Sequence, residues 1–220
     1  MTNLFSSFDP MSSTFSYQLN WLSMFIFFII FFPLFWFMKS KPLLIYFTIL
    51  NYLFKELSPL FKKTKNMLMF SSLFIFILIN NVFGLMPYTF TSTAHMSVTL
   101  SMALVIWISF MMFGWINNTN HMFAHLLPLG TPVVLMPFMV MIETISNIIR
   151  PITLSVRLAA NLTAGHLILI LLGESMVSSS MMSLIPTILV QFCLFILEAA
   201  VAMIQAYVFV TLSTLYASEV

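Results

Sequence analysis

Two long apolar segments, residues 133–172 and 180–218, constrain the fold more than any other feature of this sequence. Each is about 40 residues long, or roughly 60 Å as continuous helix, which is about twice what an upright helix needs to cross a bilayer. Each segment therefore either holds two spans or forms one steeply tilted helix. Two spans would need a polar loop in the middle, and Arg150–Pro151 is a poor one. We predict a tilted helical hairpin, bent at Pro137 and Pro151, with Gly173 and Glu174 in its turn.

Composition places the whole chain in a membrane. Hydrophobic residues make up 61% of it and charged residues 6%, whereas soluble domains are about 25% charged. With one cysteine, Cys193, no disulfide can form within the chain. We predict an all-α integral membrane protein with about five membrane helices, an amphipathic surface helix and no separate domains.

The order of segments follows from the same reasoning. Residues 1–20 form a polar external tail, 21–38 a first span, 39–66 a basic segment and 67–116 two further spans, followed by a polar connection up to residue 132. All six lysines lie in residues 39–66, where apolar residues recur at helical spacing. This segment is either an amphipathic helix on the membrane surface or a solvated basic loop. Because positive loops stay on the negative side of a membrane, it marks that side, here called the lysine side, and the N-terminus lies on the other.

Polar residues inside the apolar segments are the candidate functional groups, because such residues are costly in lipid and mark ion paths or proton relays. They are Glu143, Asn147, Arg150, Arg157, Asn161, His166, Glu198 and Gln205. Structural alternatives exist for several. Gln205 could only join two helices, His166 could only donate to a carbonyl, and Arg150 could reach lysine-side headgroups. Arg157 has no carboxylate three or four positions away to neutralise it.

Helical geometry divides these residues between two sides of one helix. At about 100° per residue, Glu143, Arg150, Arg157 and Asn161 fall within roughly 60° of one another. Small residues continue this face beyond Arg157 and would let another helix approach closely. His166, nine positions after Arg157, lies on the opposite side. This arrangement favours two separate aqueous routes that meet near one arginine.

Several functions are disfavoured. The sequence has no phosphate-binding glycine loop and no plausible Ser–His–Asp set, so we expect no nucleotide binding, no enzymatic activity and no cofactor within this chain. His121 and His125 have i, i+4 spacing that suits a metal, but no third ligand follows nearby, and we predict no metal site. We also expect no nucleic-acid partner.

Several motifs resemble subunit a of the F-type ATP synthase in its mitochondrial form. The run PITLSVRLAANLTAGH (151–166) carries the resemblance most strongly, and MPFMVMIETIS (136–146) and LEAAVAMIQAYVF (197–209) extend it. NNVFGLMPY (80–88) and HLLPLGTP (125–132) are also similar to the family pattern, although Leu129 stands where a glutamine is expected.

The resemblance implies a non-catalytic stator subunit of the mitochondrial inner membrane. It would hold two offset half-channels against a rotating ring of c subunits, beside a peripheral stalk, other small membrane subunits and lipid. Arg157 matches the arginine that faces the ring carboxylate. His166 and Glu198 match residues of the half-channel open to the intermembrane space, and Glu143 one of the matrix half-channel. Asn161 and Gln205 match polar residues near the arginine, with Arg150 and Asn147 as secondary candidates.

Two other classes remain possible at this point. A stand-alone proton channel or secondary transporter usually shows repeats with paired polar sites in both halves, whereas the polar sites here lie in the C-terminal half. A structural subunit of a respiratory complex would leave Arg157 unexplained.

Overall fold

The structure is a computed structural model that describes residues 8–11, 18–25, 41–60, 65–86, 89–127, 132, 135–177 and 180–219. Its helices are α1 (Lys41–Leu57), α2 (Lys65–Gly84), α3 (Met96–Asn117), α4 (Thr119–His125), α5 (Met136–Val177) and α6 (Met181–Glu219). Short 3-10 helices cover Leu19–Phe25, Ser58–Leu60 and Ser92–Ala94. The described residues contain no strand, and the all-α prediction is confirmed.

Four of these helices, α2, α3, α5 and α6, are long and apolar enough to cross a membrane. The predicted first span, residues 21–38, lies mostly outside the described residues, which show only the 3-10 helix Leu19–Phe25 at its start. Residues 1–7 and 12–17 of the predicted tail are also outside them, as are Lys39, Lys62 and Lys63.

Helices α5 and α6 form the predicted long hairpin, and each is one continuous helix, of 42 and 39 residues. Two details differ from the prediction. Pro137 is the second residue of α5, where a missing backbone N–H costs little, and only Pro151 lies in the helix interior. Gly173 and Glu174 belong to the last turns of α5 rather than to the connecting turn. Below, the closed end of the hairpin is the turn between α5 and α6, and the open end is where α5 begins and α6 finishes.

The buried core lies where α2 and α3 pack against this hairpin. Helix α2 packs on α6, α3 packs on α5, and α5 packs on α6. The fully buried side chains Phe70, Ile77, Leu158 and Phe209 fill the centre. In the most apolar stretch of each helix, half of the α2 residues are buried but only 17% in α5 and 11% in α6. The long hairpin therefore presents apolar surface to lipid or to other proteins.

Helix α1 lies in the basic segment and packs against α2. Leu53 and Leu57 are buried, while their neighbours Tyr52, Lys55 and Glu56 are exposed. One stripe of α1 thus faces the protein and the other faces outward, as an amphipathic surface helix requires. The Tyr207 hydroxyl of α6 donates a hydrogen bond of 2.9 Å to Glu56, which ties α1 to the hairpin as well.

Candidate functional site

The polar residues predicted on α5 and α6 meet across the inside of the hairpin. The Asn161 side-chain amide donates a hydrogen bond to the side-chain oxygen Oε1 of Gln205 at 3.1 Å. One turn further along α5, Gly165 faces Glu198: a Cβ placed on this glycine would lie 2.6 Å from the nearer Glu198 oxygen. Both pairs fit one antiparallel register, because positions rise along α5 as they fall along α6. The glycine is what allows the carboxyl group to lie against the α5 backbone.

A cavity of about 230 Å³, the inner cavity, lies beside these pairs. Its polar lining residues are Asn81 of α2, Asn161, Glu198 and Gln205. Asn81 donates to the Ala202 carbonyl at 3.3 Å, but its own side-chain oxygen, both Glu198 oxygens and the Gln205 nitrogen are buried without a hydrogen-bond partner among the described residues. A cavity of this size with several such atoms is suited to hold hydrogen-bonded water.

His166 and Glu198 connect the inner cavity to a second one. Their nearest nitrogen and oxygen, Nε2 and Oε1, are 3.8 Å apart. Glu198 lines the inner cavity, whereas His166 lines the outer cavity, a space of about 700 Å³ that reaches Phe8, Asp9 and the segment after α2. The side chain of Glu198 is 5% exposed and that of His166 18%. The pair therefore stands at the boundary between the two spaces.

Arg157 lies on the outer surface of the hairpin, away from the His166–Glu198 pair. It is exposed, and no carboxylate of the described residues forms an ion pair with it. Ala160, Asn161 and Ala164 continue the exposed stripe along α5. Because Asn161 and Ala164 also line the inner cavity, this cavity opens onto the same surface as Arg157.

Glu143 and Arg150 form a separate cluster towards the open end. The Arg150 guanidinium lies 3.7 Å from the Glu143 carboxylate, and it covers the ring of Tyr216 at 5.0 Å from the ring centre. Asn147, Arg150 and Tyr216 line a cavity of about 240 Å³ between α3, α5 and α6, here called the open-end cavity. Arg150 thus contacts its own protein on two sides.

Of the eight predicted residues, the structure brings together Asn161 with Gln205, His166 with Glu198, and Glu143 with Arg150 and Asn147, and leaves Arg157 on the outer face. Sequence reasoning missed the part played by Asn81 and Tyr216. Asn81 stands out as a polar residue deep in an apolar span, but its partner, Ala202, is 121 positions away in the sequence. Tyr216 gave no signal, since an aromatic residue near the end of a span is common at a membrane interface.

Fold and site together define a multi-pass helical membrane protein with cavities large enough to hold water and with polar groups between its last two helices. Comparison with known proteins is more specific. The family described as "ATP synthase A chain" matches residues 17–218. The protein named ATP synthase subunit a in Drosophila melanogaster is 54% identical over 223 residues, covering 100% of this chain and 99% of the fly protein. Proteins of the same name in Locusta migratoria and Anopheles gambiae are 54% and 53% identical over similar lengths.

The chain therefore belongs to the ATP synthase A chain family. The predicted family is confirmed, as is the prediction of a non-catalytic subunit that takes part in ATP synthesis and proton transport. Family membership disfavours both a stand-alone transporter and a structural subunit of a respiratory complex.

Proposed function

We propose that this chain conducts protons through two offset half-channels against a ring of c subunits, and that Arg157 separates the two. Family membership supports a role in the membrane sector of the ATP synthase. The single observation that carries the proposal is the position of Arg157, an exposed cation on the surface onto which the inner cavity opens.

The first half-channel runs from the outer cavity through His166 and Glu198 to the inner cavity. Protons reach His166 in the outer cavity and leave through the inner cavity after passing to Glu198. This transfer needs a small side-chain movement that brings Nε2 and Oε1, 3.8 Å apart, within hydrogen-bond reach. Asn161 and Gln205 hold each other by their hydrogen bond at the mouth of the inner cavity. Their role is to orient water between Glu198 and a carboxyl group of the ring.

Arg157 permits a ring carboxyl group to lose its proton at one place only. In lipid a bare carboxylate is too costly, so the group travels protonated. Beside Arg157 it can ionise, because opposite charges 4 Å apart attract by about 4 kcal/mol at an effective dielectric constant of 20. The fixed positive charge also repels hydronium, which prevents protons from leaking directly between the two routes.

The second half-channel lies at the open end, where Arg150 contacts both Glu143 and Tyr216 and lines the open-end cavity together with Asn147. Glu143 receives the proton released from the ring, while Arg150 holds this carboxylate and is itself held over the Tyr216 ring. Each proton that crosses gains about 2.3 kcal/mol per 100 mV of membrane potential. Because the two routes reach the ring at different positions, this gain turns the ring in one direction.

The lysine distribution and the family support a proposal for the membrane and the orientation of the chain. We place the chain in the mitochondrial inner membrane, with its N-terminus in the intermembrane space and α1 on the matrix side. Its partners are the c-subunit ring, the peripheral stalk, other small membrane subunits and lipid. It binds no nucleotide itself.

Replacing the arginine in the assembled complex tests the proposal. In liposomes under an imposed proton gradient, Arg157→Ala and Arg157→Lys are both expected to abolish proton-driven ATP synthesis while the complex still assembles. Lysine fails because it is a point charge that can lose its proton and lacks the planar fork of arginine.

Thr163→Val is the matched control, because the Thr163 hydroxyl donates to the Ala160 carbonyl of its own helix and to no other group in the described part of the chain. This control should retain synthesis. Normal proton-driven synthesis in Arg157→Ala would overturn the proposal.

A further inference from the structure

The described residues 8–11 and Asn20, here called the N-terminal segment, lie beside the predicted proton path. Phe8, Asp9, Met11 and Asn20 line the outer cavity together with His166. The Phe8 ring meets the His166 imidazole edge-on, with 6.3 Å between ring centres. Asp9, the next residue after Phe8, is therefore held at the wall of the outer cavity, beside the route to His166.

Two hydrogen bonds fix this segment. The Asp9 carboxylate accepts one from the backbone N–H of Met11 at 3.2 Å. The Asn20 amide donates to the Asp9 backbone carbonyl at 3.5 Å. They hold the Asp9 carboxyl group at the cavity while leaving it exposed to solvent.

Asp9 and His166 are the titratable residues among the described side chains that line the outer cavity. Among the lining side chains, His166 belongs to α5 and Phe195 to α6. Glu198 of α6 lies behind His166 and outside the lining. The segment after α2 contributes apolar residues and threonines. His95 is not in the lining: it lies behind Phe90, stacked at 5.1 Å between ring centres.

We propose that Asp9 is the proton-collecting carboxylate at the mouth of the route to His166 and Glu198. The inference rests on the proposed function and adds to it the group that receives protons from bulk solvent. An exposed carboxylate at the mouth of a cavity attracts cations and raises their local concentration, an effect that can raise association rates by about 10- to 1,000-fold.

The relay conserves its protons at every step. The Asp9 carboxylate binds a proton from bulk water and gives it to water in the outer cavity. That water protonates His166, which releases a proton from Nε2 to Oε1 of Glu198 once the two atoms move from 3.8 Å to within hydrogen-bond reach. Asp9 then returns to its anionic form and can collect again.

The test measures proton-driven ATP synthesis by the assembled complex in liposomes, at a constant driving force, as the pH on the outer-cavity side is varied. Asp9→Asn keeps a side-chain oxygen for the Met11 N–H but cannot be protonated in this range. At the alkaline end, where protons are scarce and collection limits the rate, we expect a loss of roughly three- to tenfold. At the acidic end the variant and the parent should be equal.

Two variants sharpen the result. Glu174→Gln removes another exposed carboxylate, near the closed end and outside the cavity lining, and should behave like the parent. Asp9→Glu restores a carboxylate and should recover most of the alkaline rate. A loss in Asp9→Asn that is the same at every pH would overturn the proposal, since that is the signature of a purely structural role.

If Asp9→Asn synthesised ATP at the parent rate at every pH, the proposed role of Asp9 would also be overturned. Glu198→Gln, measured in the same preparation, then shows whether the proposed function as a whole still holds. If Glu198→Gln blocks synthesis and Asp9→Asn does not, only the role of Asp9 is lost.

The unmodified complex provides a measurement that needs no variant. Because salt screens exposed charges beyond about 10 Å at 0.1 M, its rate of ATP synthesis at the alkaline end should fall as ionic strength rises. A rate independent of salt there would count against Asp9.

Discussion

Replacement of Gly165 by alanine should displace the Glu198 carboxyl group from His166 while leaving the hairpin almost as stable as before. The variant therefore tests what the His166–Glu198 pair contributes to proton conduction. The added Cβ would lie 2.6 Å from Oε1 of Glu198, 2.7 Å from Cδ and 3.0 Å from Cγ. To restore an ordinary contact of 3.4 Å, the carboxyl group must move by about 0.8 Å. Since His166 and Glu198 are already 3.8 Å apart, such a displacement changes the polar contact between the outer and inner cavities.

The stability cost of the same change is small because two effects oppose each other. Overpacking in a tight interface costs about 1–3 kcal/mol. Alanine in place of glycine inside a helix recovers about 0.8–1 kcal/mol. The net destabilisation is therefore roughly 0–2 kcal/mol, so we expect assembly to persist while proton-driven ATP synthesis falls by about tenfold or more, as expected for a displaced proton-transfer group.

Gly173→Ala is the matched control on the same helix. Apart from its chain neighbours and the backbone of its own helix, no atom of the described residues lies within 4 Å of the Cβ that it would introduce. We expect unchanged synthesis and a gain of up to about 1 kcal/mol in helix stability. The assay compares proton flux and amount of assembled complex for the two variants, in liposomes under the same gradient. Full proton flux in Gly165→Ala would refute the idea that Glu198 must lie against the α5 backbone to conduct.

Three further predictions concern the polar contacts. In a double-mutant cycle, Asn161→Ala and Gln205→Ala should show a coupling of about 0.5–1.5 kcal/mol, since they share one hydrogen bond; strict additivity would contradict that contact. Tyr207→Phe should change stability by no more than about 0.5 kcal/mol, because its bond to Glu56 is exposed, and thermal unfolding would check this. Arg150→Ala should slow proton release from the open end and leave proton uptake unchanged, and single-turnover flux measured in both directions would distinguish this from a general loss.

The large features of the fold could be read from the sequence because they depend on the length and polarity of segments. The apolar segments 133–172 and 180–218 predicted α5 and α6, and lysine clustering with apolar spacing predicted α1. Finer boundaries could not be read in the same way. Gly173 is of the residue type that often ends a helix, yet α5 continues through Gly173 and Glu174 to Val177. Neither residue is buried in the protein, and the cost of about 1 kcal/mol for one glycine is too small to end so long a helix, while glutamate favours it.

The site was predictable as a set of residues but not as a set of contacts. The cost of placing polar groups in lipid singled out His166 and Glu198, and the antiparallel hairpin made their meeting plausible. No local signal could show that Asn81 from α2 completes the inner cavity or that the N-terminal segment lines the outer one. Both depend on packing between helices far apart in sequence, which pattern and composition do not encode.

Distances along α5 explain why a second polypeptide is required by the proposed mechanism. His166 and Glu143 are 23 positions apart, or about 34 Å along a helix, with Arg157 between them at about 13 Å from His166 and 21 Å from Glu143. Proton transfer needs donor and acceptor within hydrogen-bond reach or joined by water, and Arg157 places a fixed positive charge between the two sites. In the proposed mechanism, a proton given up by Glu198 therefore does not reach Glu143 along this chain, and is carried by a carboxyl group that moves past Arg157 on another subunit. A chain reconstituted without its ring should accordingly conduct no protons, and conduction by the isolated chain would show that its two routes are one continuous channel.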